Sequence, residues 1–321
     1  MEHINFLITA TPSSELYGGK GSKLIKLIKI GANIPPGYII TTKSYEKFIN
    51  ESIYYGELKA LLSTPYSKDA VIEQSAKIID LIMKTQIPDI IIKEIKRGHI
   101  LLNDANNSFA VRSSASFEDS KHFSFAGQAN TYLYQRNIND VIKSVKKCWA
   151  SFFSPHALLY FLHIKKKNSD LSLEKLKMAV IIQKMVNASV SGVLYTSNIL
   201  NNDRNQMLIN SSWGLGESVV NNSVNPDMII LEKEKFKILE KTTGKKEKKS
   251  IPNSIRSGTV LIETNAFSRE KFSLNDKQIR QLYDLGLKAE NTFNYPQDIE
   301  WAFESEKLYT LQSRPITTLK N

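Results

Sequence analysis

The sequence predicts an α+β chain built in two parts, and three observations carry this. Residues 44–103 read as mostly helical, and before them Leu24, Leu27 and Ile28 recur at helical spacing ahead of Gly31. The second half reads instead as short β-like runs, SGVLYT, QMLINSSW, DMIIL and KFKILE, divided by Gly, Asn and Asp. The length of 321 residues suits about two domains. The change of texture puts a boundary near 183–190, with residues 1–186 as an N-terminal lobe and 187–321 as a C-terminal lobe.

In chain order, Gly18-Gly19-Lys20-Gly21 enters a helix that Gly31 stops, and Pro35, Pro36 and Gly37 turn the chain into the short strand YIITT. After the helical stretch, SFAVRSSASFEDS is a strand running into a polar loop. TYLYQ is a strand, followed by a helix from Ile138 to Phe153, and KMAVIIQKMV is a buried strand with a polar end. The run KTTGKKEKKS (241–250) reads as a charged loop, the solvated end of a hairpin. Residues 274–293 form an amphipathic helix. DIEWAFE and KLYTLQSR then make a hairpin around Glu304–Lys307.

Composition bounds the function. Hydrophobic residues make up 41% and charged residues 23%, a globular mixture that argues against extended disorder, collagen and coiled coil. No apolar run reaches the roughly 18 residues of a membrane span, and the opening residues lack the pattern of a signal peptide. Cys148 is the single cysteine, which excludes an intramolecular disulfide and any CxxC metal site. A cytoplasmic protein is the expectation. The net charge of +11 invites a polyanion partner. Lysine far outnumbers arginine, however, and arginine is the residue suited to bidentate phosphate and base contacts. Nucleic acid is therefore not the expected partner.

Five constellations can carry chemistry. Gly18-Gly19-Lys20-Gly21 offers close backbone approach, a helix N-terminus and a point charge, which together suit a phosphate. The ordinary alternative is a glycine turn with an exposed lysine, since the spacing is not that of a P-loop. Arg112, followed by Ser113, Ser114, Ala115 and Ser116, is expected at a strand end, where a guanidinium can clamp phosphate oxygens. The alternative there is a capping loop with a surface arginine. Gln183-Lys184-Met185-Val186 ends a buried strand and presents what an adenine ring needs, main-chain hydrogen bonds and apolar cover. An ordinary core strand end would look the same. Trp213-Gly214-Leu215-Gly216-Glu217 forms a tight glycine loop after a strand. In the C-terminal hairpin, alternation puts Asp298, Glu300 and Ala302 on one face and Thr310, Gln312 and Arg314 together on the partner strand. Oxygen ligands of this kind suit Mg²⁺, and Arg314 can neutralise a transferring phosphoryl group. The alternative is a surface hairpin with an Arg–Glu pair. The order of these parts, anion loop, arginine, adenine strand and carboxylate–amide–arginine hairpin, is what an ATP-grasp site requires.

The chain resembles the N-terminal nucleotide-binding domain of the phosphoenolpyruvate synthase, pyruvate phosphate dikinase and rifampin phosphotransferase family. The resemblance rests on Gly18–Gly21 with the following IPPGYIITT, on Val111–Ala115 with Glu118-Asp119, and on Phe125-Ala126-Gly127-Gln128. It continues through Gln183–Val186, Ser191-Gly192-Val193, Trp213–Glu217, Asn225-Pro226-Asp227, Pro296–Trp301 and Leu311–Thr317. It implies an ATP-grasp domain of two lobes that clasp Mg-ATP in the cleft between them. It implies phosphate contacts from Lys20, Arg112 and Arg314, and magnesium held by Glu300 and Gln312. Further nucleotide contacts are implied for Gly127, Thr131, Gln183, Met185, Val186 and Glu217. The family reaction passes the β-phosphoryl group of ATP to a histidine on a swivelling domain.

Three departures qualify this. No swivelling domain follows Thr317, and His3, His99, His122, His156 and His163 all lie outside a Gly-rich Thr-Ser-His context, so a separate carrier protein is the expected partner. Asn130 stands where the family has an acidic residue. Ser197-Asn198-Ile199 replaces an Asn-Pro turn. The leading expectation is thus the ATP-binding subunit of a split phosphotransferase with an unnamed small-molecule acceptor. The alternatives are a stand-alone ATP-grasp kinase or ligase, and a nucleotide-binding regulatory module.

Overall fold

A computed structural model describes residues 2–63, 70–102, 108–116, 131–165 and 177–319. The chain divides into two compact units, Met1–Ile25 with Pro36–Lys184, and Lys26–Pro35 with Met185–Asn321.

The first unit is built on a five-stranded antiparallel sheet. Its strands are β1 (Ile4–Phe6), β2 (Gly37–Ile40), β3 (Phe109–Ala115), β4 (Thr131–Gln135) and β5 (Met178–Lys184), in the order β1-β2-β5-β3-β4. Helix α1 (Ser14–Lys29) runs between β1 and β2, and helices α2 (Thr42–Asn50), α3 (Tyr55–Ser63), α4 (Val71–Lys84), α5 (Asp89–Leu102), α6 (Ile138–Ser151) and α7 (Pro155–Lys165) run between β2 and β5. The last turn of α1 groups with the second unit. The continuous apolar run of β5 follows from its place between β2 and β3, where both faces are covered. Helix α4 buries Val71, Ser75, Ile78, Leu81 and Ile82, one face at helical spacing. Helix α6 starts at Asn137, whose side chain accepts from the Asp140 amide at 2.9 Å, and buries Val141, Val145, Cys148 and Trp149. Trp149 packs on Phe48 with ring centroids 4.6 Å apart, inside a core that also takes Phe109, Phe153 and Ile182.

The second unit holds a six-stranded antiparallel sheet. It uses β6 (Val190–Tyr195), β7 (Gln206–Trp213), β8 (Asp227–Glu232), β9 (Lys237–Thr242), β12 (Gln297–Glu304) and β13 (Lys307–Pro315), in the order β13-β12-β6-β7-β8-β9. A separate hairpin pairs β10 (Lys248–Pro252) with β11 (Thr259–Glu263). Helix α8 (Glu217–Val220) follows β7, and α9 (Ala266–Glu270) and α10 (Asp276–Phe293) precede β12. Helix α10 opens with a capping box, Asn275 with Gln278, and ends at Asn294 with φ 60°. It lies close on the sheet at Gly286, where a Cβ would stand 3.1 Å from Leu194 and Met207.

The charged run 241–250 departs from the sequence reading. Lys248–Ser250 belong to β10, and the Lys246 side chain is fully buried in an ion pair with the equally buried Asp227. A lysine can enter the interior there because a carboxylate waits for it, which a charge run in the sequence does not reveal. No helix among the described residues is long and apolar enough to cross a membrane.

Candidate functional site

In the first unit the glycine loop sits directly on β3. Gly18 takes φ 68° and ψ 174° and breaks α1 into an opening turn and a main helix. Only glycine fits, because a Cβ would stand 2.1 Å from the Ser114 carbonyl oxygen. Ser114 Oγ accepts from the Gly21 amide at 3.0 Å and donates to the Tyr17 carbonyl at 2.8 Å, so one hydroxyl holds both sides of the break. Lys20 is half-buried and its Nζ donates to the Ser113 carbonyl at 3.2 Å. The structure thus joins the first two constellations and removes the reading of Lys20 as a solvated lysine on a glycine turn. Ser114, which the sequence placed only as a small loop residue, is the hinge of this joint.

Arg112 is buried and lies in the middle of β3, not at a strand end, since the ladder with β5 runs on to Ala115. Small residues after the arginine do not stop a strand when a neighbouring strand pairs with them. Thr131, at the start of β4, stands opposite Arg112. Gln183 is buried near the end of β5, opposite Ala110 and Gly37. The strand ends at Lys184, so Met185 and Val186 lie beyond it and group with the second unit. Gly127 and Asn130, with Glu118, Asp119 and Phe125–Gln128, lie outside the described residues.

In the second unit the C-terminal hairpin forms two adjacent cross-strand rungs. Asp298 stands opposite Arg314 and Glu300 opposite Gln312. Arg314 Nε donates to Asp298 Oδ2 at 2.8 Å, and Gln312 Nε2 donates to Glu300 Oε1 at 3.1 Å. Arg314 is therefore paired with Asp298 and not with Glu300. A bulge between Glu300 and Trp301 skips Leu311 and sets Thr310 opposite Trp301. Thr310 accordingly leaves the face of Gln312 and Arg314, against the strict alternation expected from sequence. The opposite face is anchored by the fully buried Ile299, Trp301 and Phe303.

Two neighbours, Asp298 and Tyr195, shape the surroundings of Arg314, and of these only Tyr195 was not singled out from sequence. Burial pushes the Asp298 carboxyl above the usual aspartate range, against the pull of the Arg314 guanidinium. Tyr195 on β6 stands opposite Asp298 on its other side, so Tyr195, Asp298 and Arg314 form one row across three strands. Burial, and then the Asp298 carboxylate, raise the Tyr195 phenol above its ordinary value. Alternation along β12 put Asp298 beside Glu300, but only register across strands brings in Tyr195.

Glu217 opens α8, and its Oε1 accepts from the Ser250 hydroxyl of β10. The turn before it is locked by Gly214, at φ 78°, where a Cβ would come within 2.4 Å of the Ser250 carbonyl oxygen. Among the described residues no cluster of three or more His, Cys, Asp or Glu is placed to hold a metal ion. The oxygen donors of the hairpin are a carboxylate and an amide side by side.

The family model for the AMP/ATP-binding domain of pyruvate phosphate dikinase matches residues 14–321. Among curated relatives, the chain is 36% identical to phosphoenolpyruvate synthase of Pyrococcus furiosus, over 95% of this chain and 42% of that protein. It is 35% identical to a probable phosphoenolpyruvate synthase of Methanocaldococcus jannaschii, over 95% of this chain and 26% of the relative. It is 33% identical to rifampicin phosphotransferase of Bacillus subtilis, over 95% of this chain and 34% of that enzyme. The chain thus spans less than half the length of these relatives. With a match across almost its whole length, the chain belongs to the family of pyruvate phosphate dikinase AMP/ATP-binding domains.

Proposed function

We propose that this chain is an ATP-grasp domain of two lobes, divided near residues 184–187, that serves a dikinase-type phosphotransferase. In this reading it binds Mg-ATP in the cytoplasm and transfers the β-phosphoryl group to a histidine on a carrier domain outside these residues, with release of AMP and phosphate. The observation that carries it is the pair of rungs Asp298–Arg314 and Glu300–Gln312 on one face of β12–β13. A guanidinium fixed by a carboxylate lies beside two oxygen-bearing side chains, which is a phosphate clamp next to a seat for a hard cation.

The roles follow from the chemistry of each group. Lys20, positioned over β3, supplies a point charge to phosphate, while Arg112 and Arg314 supply planar donors for its oxygens. Asp298 aims Arg314 by taking its Nε, which leaves the terminal nitrogens as the end that meets substrate. Gln183, Met185 and Val186 serve the adenine, and Gly127, Thr131 and Glu217 are further nucleotide contacts. Glu300 and Gln312 fit magnesium, since both offer oxygen and a site with so few protein ligands leaves coordination to water and phosphates. Held by these two side chains, magnesium would supply positive charge to offset that of the phosphates. Catalysis of this transfer is mostly positioning and charge stabilisation, which these residues provide without a protein nucleophile of their own.

The reading is tested by incubating the protein with Mg-ATP and a phosphohistidine carrier domain from a relative, with pyruvate or a phenol as final acceptor. AMP together with an acid-labile phosphoprotein is the expected result. ADP formed without any carrier would replace this reading with that of a direct small-molecule kinase.

A further inference from the structure

Asp298 is buried, yet only one of its carboxylate oxygens is engaged. Oδ2 accepts from Arg314 Nε at 2.8 Å, whereas Oδ1 lies inside the protein without a hydrogen-bond partner among the described residues. A carboxylate oxygen stripped of water and left bare costs stability, so its surroundings should hold a donor for it. The sheet offers few candidates. Asp298 has two cross-strand neighbours, Arg314 on β13 and Tyr195 on β6. The Nε of Arg314 is already given to Oδ2. Along β12 the same face continues with Glu300, an acceptor, and its partner Gln312 spends its amide nitrogen on Glu300 at 3.1 Å. That leaves the hydroxyl of Tyr195.

Tyr195 is half-buried, and its hydroxyl makes no hydrogen bond among the described residues. It stands close enough to feel the charges of Asp298, Arg314 and Glu300, and burial followed by Asp298 holds its pKa above the ordinary value. The phenol therefore keeps its proton at neutral pH and can donate. Neighbouring strands lie about 4.8 Å apart, and a tyrosine is long enough to lay its hydroxyl over the residue opposite. Resting on the phosphate-clamp reading above, we infer that the Tyr195 hydroxyl donates to Asp298 Oδ1, so that the carboxylate is gripped from both sides and holds Arg314 toward the phosphoryl group. Tyr195 is a positioning residue in this arrangement. It acts on Asp298, and Asp298 acts on Arg314. Phenylalanine would fill the same space and leave Oδ1 bare, so the functional atom is the phenol oxygen.

Tyr195→Phe, Asp298→Ala and the double variant, compared with the wild type by urea denaturation and by calorimetric titration with Mg-ATP, test this. Tyr195→Phe is expected to lower both the folding equilibrium constant and the Mg-ATP affinity about tenfold, as loss of one hydrogen bond to a charged group implies. In the Asp298→Ala background the same change should alter each by less than about twofold, because the hydroxyl then has no carboxylate to hold. A tyrosine that merely packs would weaken both backgrounds alike. Equal losses in the two backgrounds, or a Tyr195→Phe protein that matches the wild type in both measurements, overturns the inference and leaves ATP binding standing. A stability loss that depends on Asp298 without any loss of Mg-ATP affinity overturns the positioning role. A wild type that binds no Mg-ATP overturns the functional reading and the part of Tyr195 in it, while the denaturation cycle still decides whether the hydroxyl holds Asp298.

Discussion

Arg314 and Asp298 face each other across the last two strands, with the guanidinium Nε held 2.8 Å from the carboxylate. The pair sits beside the Glu300–Gln312 rung, so the arginine is held by a residue one strand away.

Asp298→Asn should separate binding from stability. Asp298 is buried, and burial outweighs Arg314 in raising its pKa above the ordinary value. An acid raised in the folded state binds more protons folded than unfolded. Its ionisation therefore costs stability as pH rises from the usual aspartate range through the folded pKa, and the cost persists above it. Asparagine carries no such cost. The variant should melt no lower than the wild type at pH 7, and its midpoint should respond less to a drop from pH 7 to pH 5. Mg-ATP affinity should still fall about tenfold, the worth of one charge-assisted hydrogen bond. Scanning calorimetry and titration at the two pH values measure both effects.

Glu300→Gln keeps the shape of the hairpin and removes one negative charge from the seat proposed for magnesium. The Mg²⁺ concentration for half-maximal ATP binding should rise about 10–100-fold, at least the effect that outer-shell changes produce at metal sites. A magnesium titration at fixed ATP, with an unchanged melting temperature as control, checks this.

Gly18→Ala and Gly31→Ala form a matched pair. Both glycines have positive φ, 68° and 81°. A Cβ at Gly31 meets nothing within 4 Å, whereas at Gly18 it meets the Ser114 backbone at 2.1 Å. Gly31→Ala should cost about 1–2 kcal/mol, the penalty of the left-handed region alone. Gly18→Ala should cost more in urea denaturation and also weaken nucleotide binding, because Lys20 rides on the same joint.

Lys246→Met should destabilise by about 3–5 kcal/mol, the cost of leaving a buried charge without its partner. Adding Asp227→Asn should recover part of that loss, since no charge then remains inside. Denaturation of the two variants against the wild type reads the difference.

Cys148 is fully buried on α6, and burial drives its thiol well above the ordinary range. Its reaction with a disulfide reagent should be negligible in the native protein and should follow the unfolding of the first unit as denaturant rises. Rapid labelling without denaturant would contradict the packing described around Trp149.

Much of the molecule was legible from local pattern. The apolar run of β5, the amphipathic α10, the helical character of residues 44–103, and the glycine, arginine and hairpin motifs are all short-range features. Periodicity and turn chemistry act between residues a few positions apart, so a sequence displays them. Helix α7 was not foreseen, and the β10–β11 pairing was hidden in a charge run, because burial of Lys246 depends on Asp227, 19 positions earlier.

The family, the α+β class and the residue types suited to ATP follow from the order of residues along the chain. Tertiary structure alone set which atoms meet. It put Ser114 against Gly18 and Gly21, placed Arg112 within a strand, gave Arg314 to Asp298 instead of Glu300, and turned Thr310 away through a bulge. It also tied Glu217 to Ser250. The physical reason is common to all of these. Each contact joins segments distant in sequence, and its geometry is decided by strand register and by the partners available for buried polar groups.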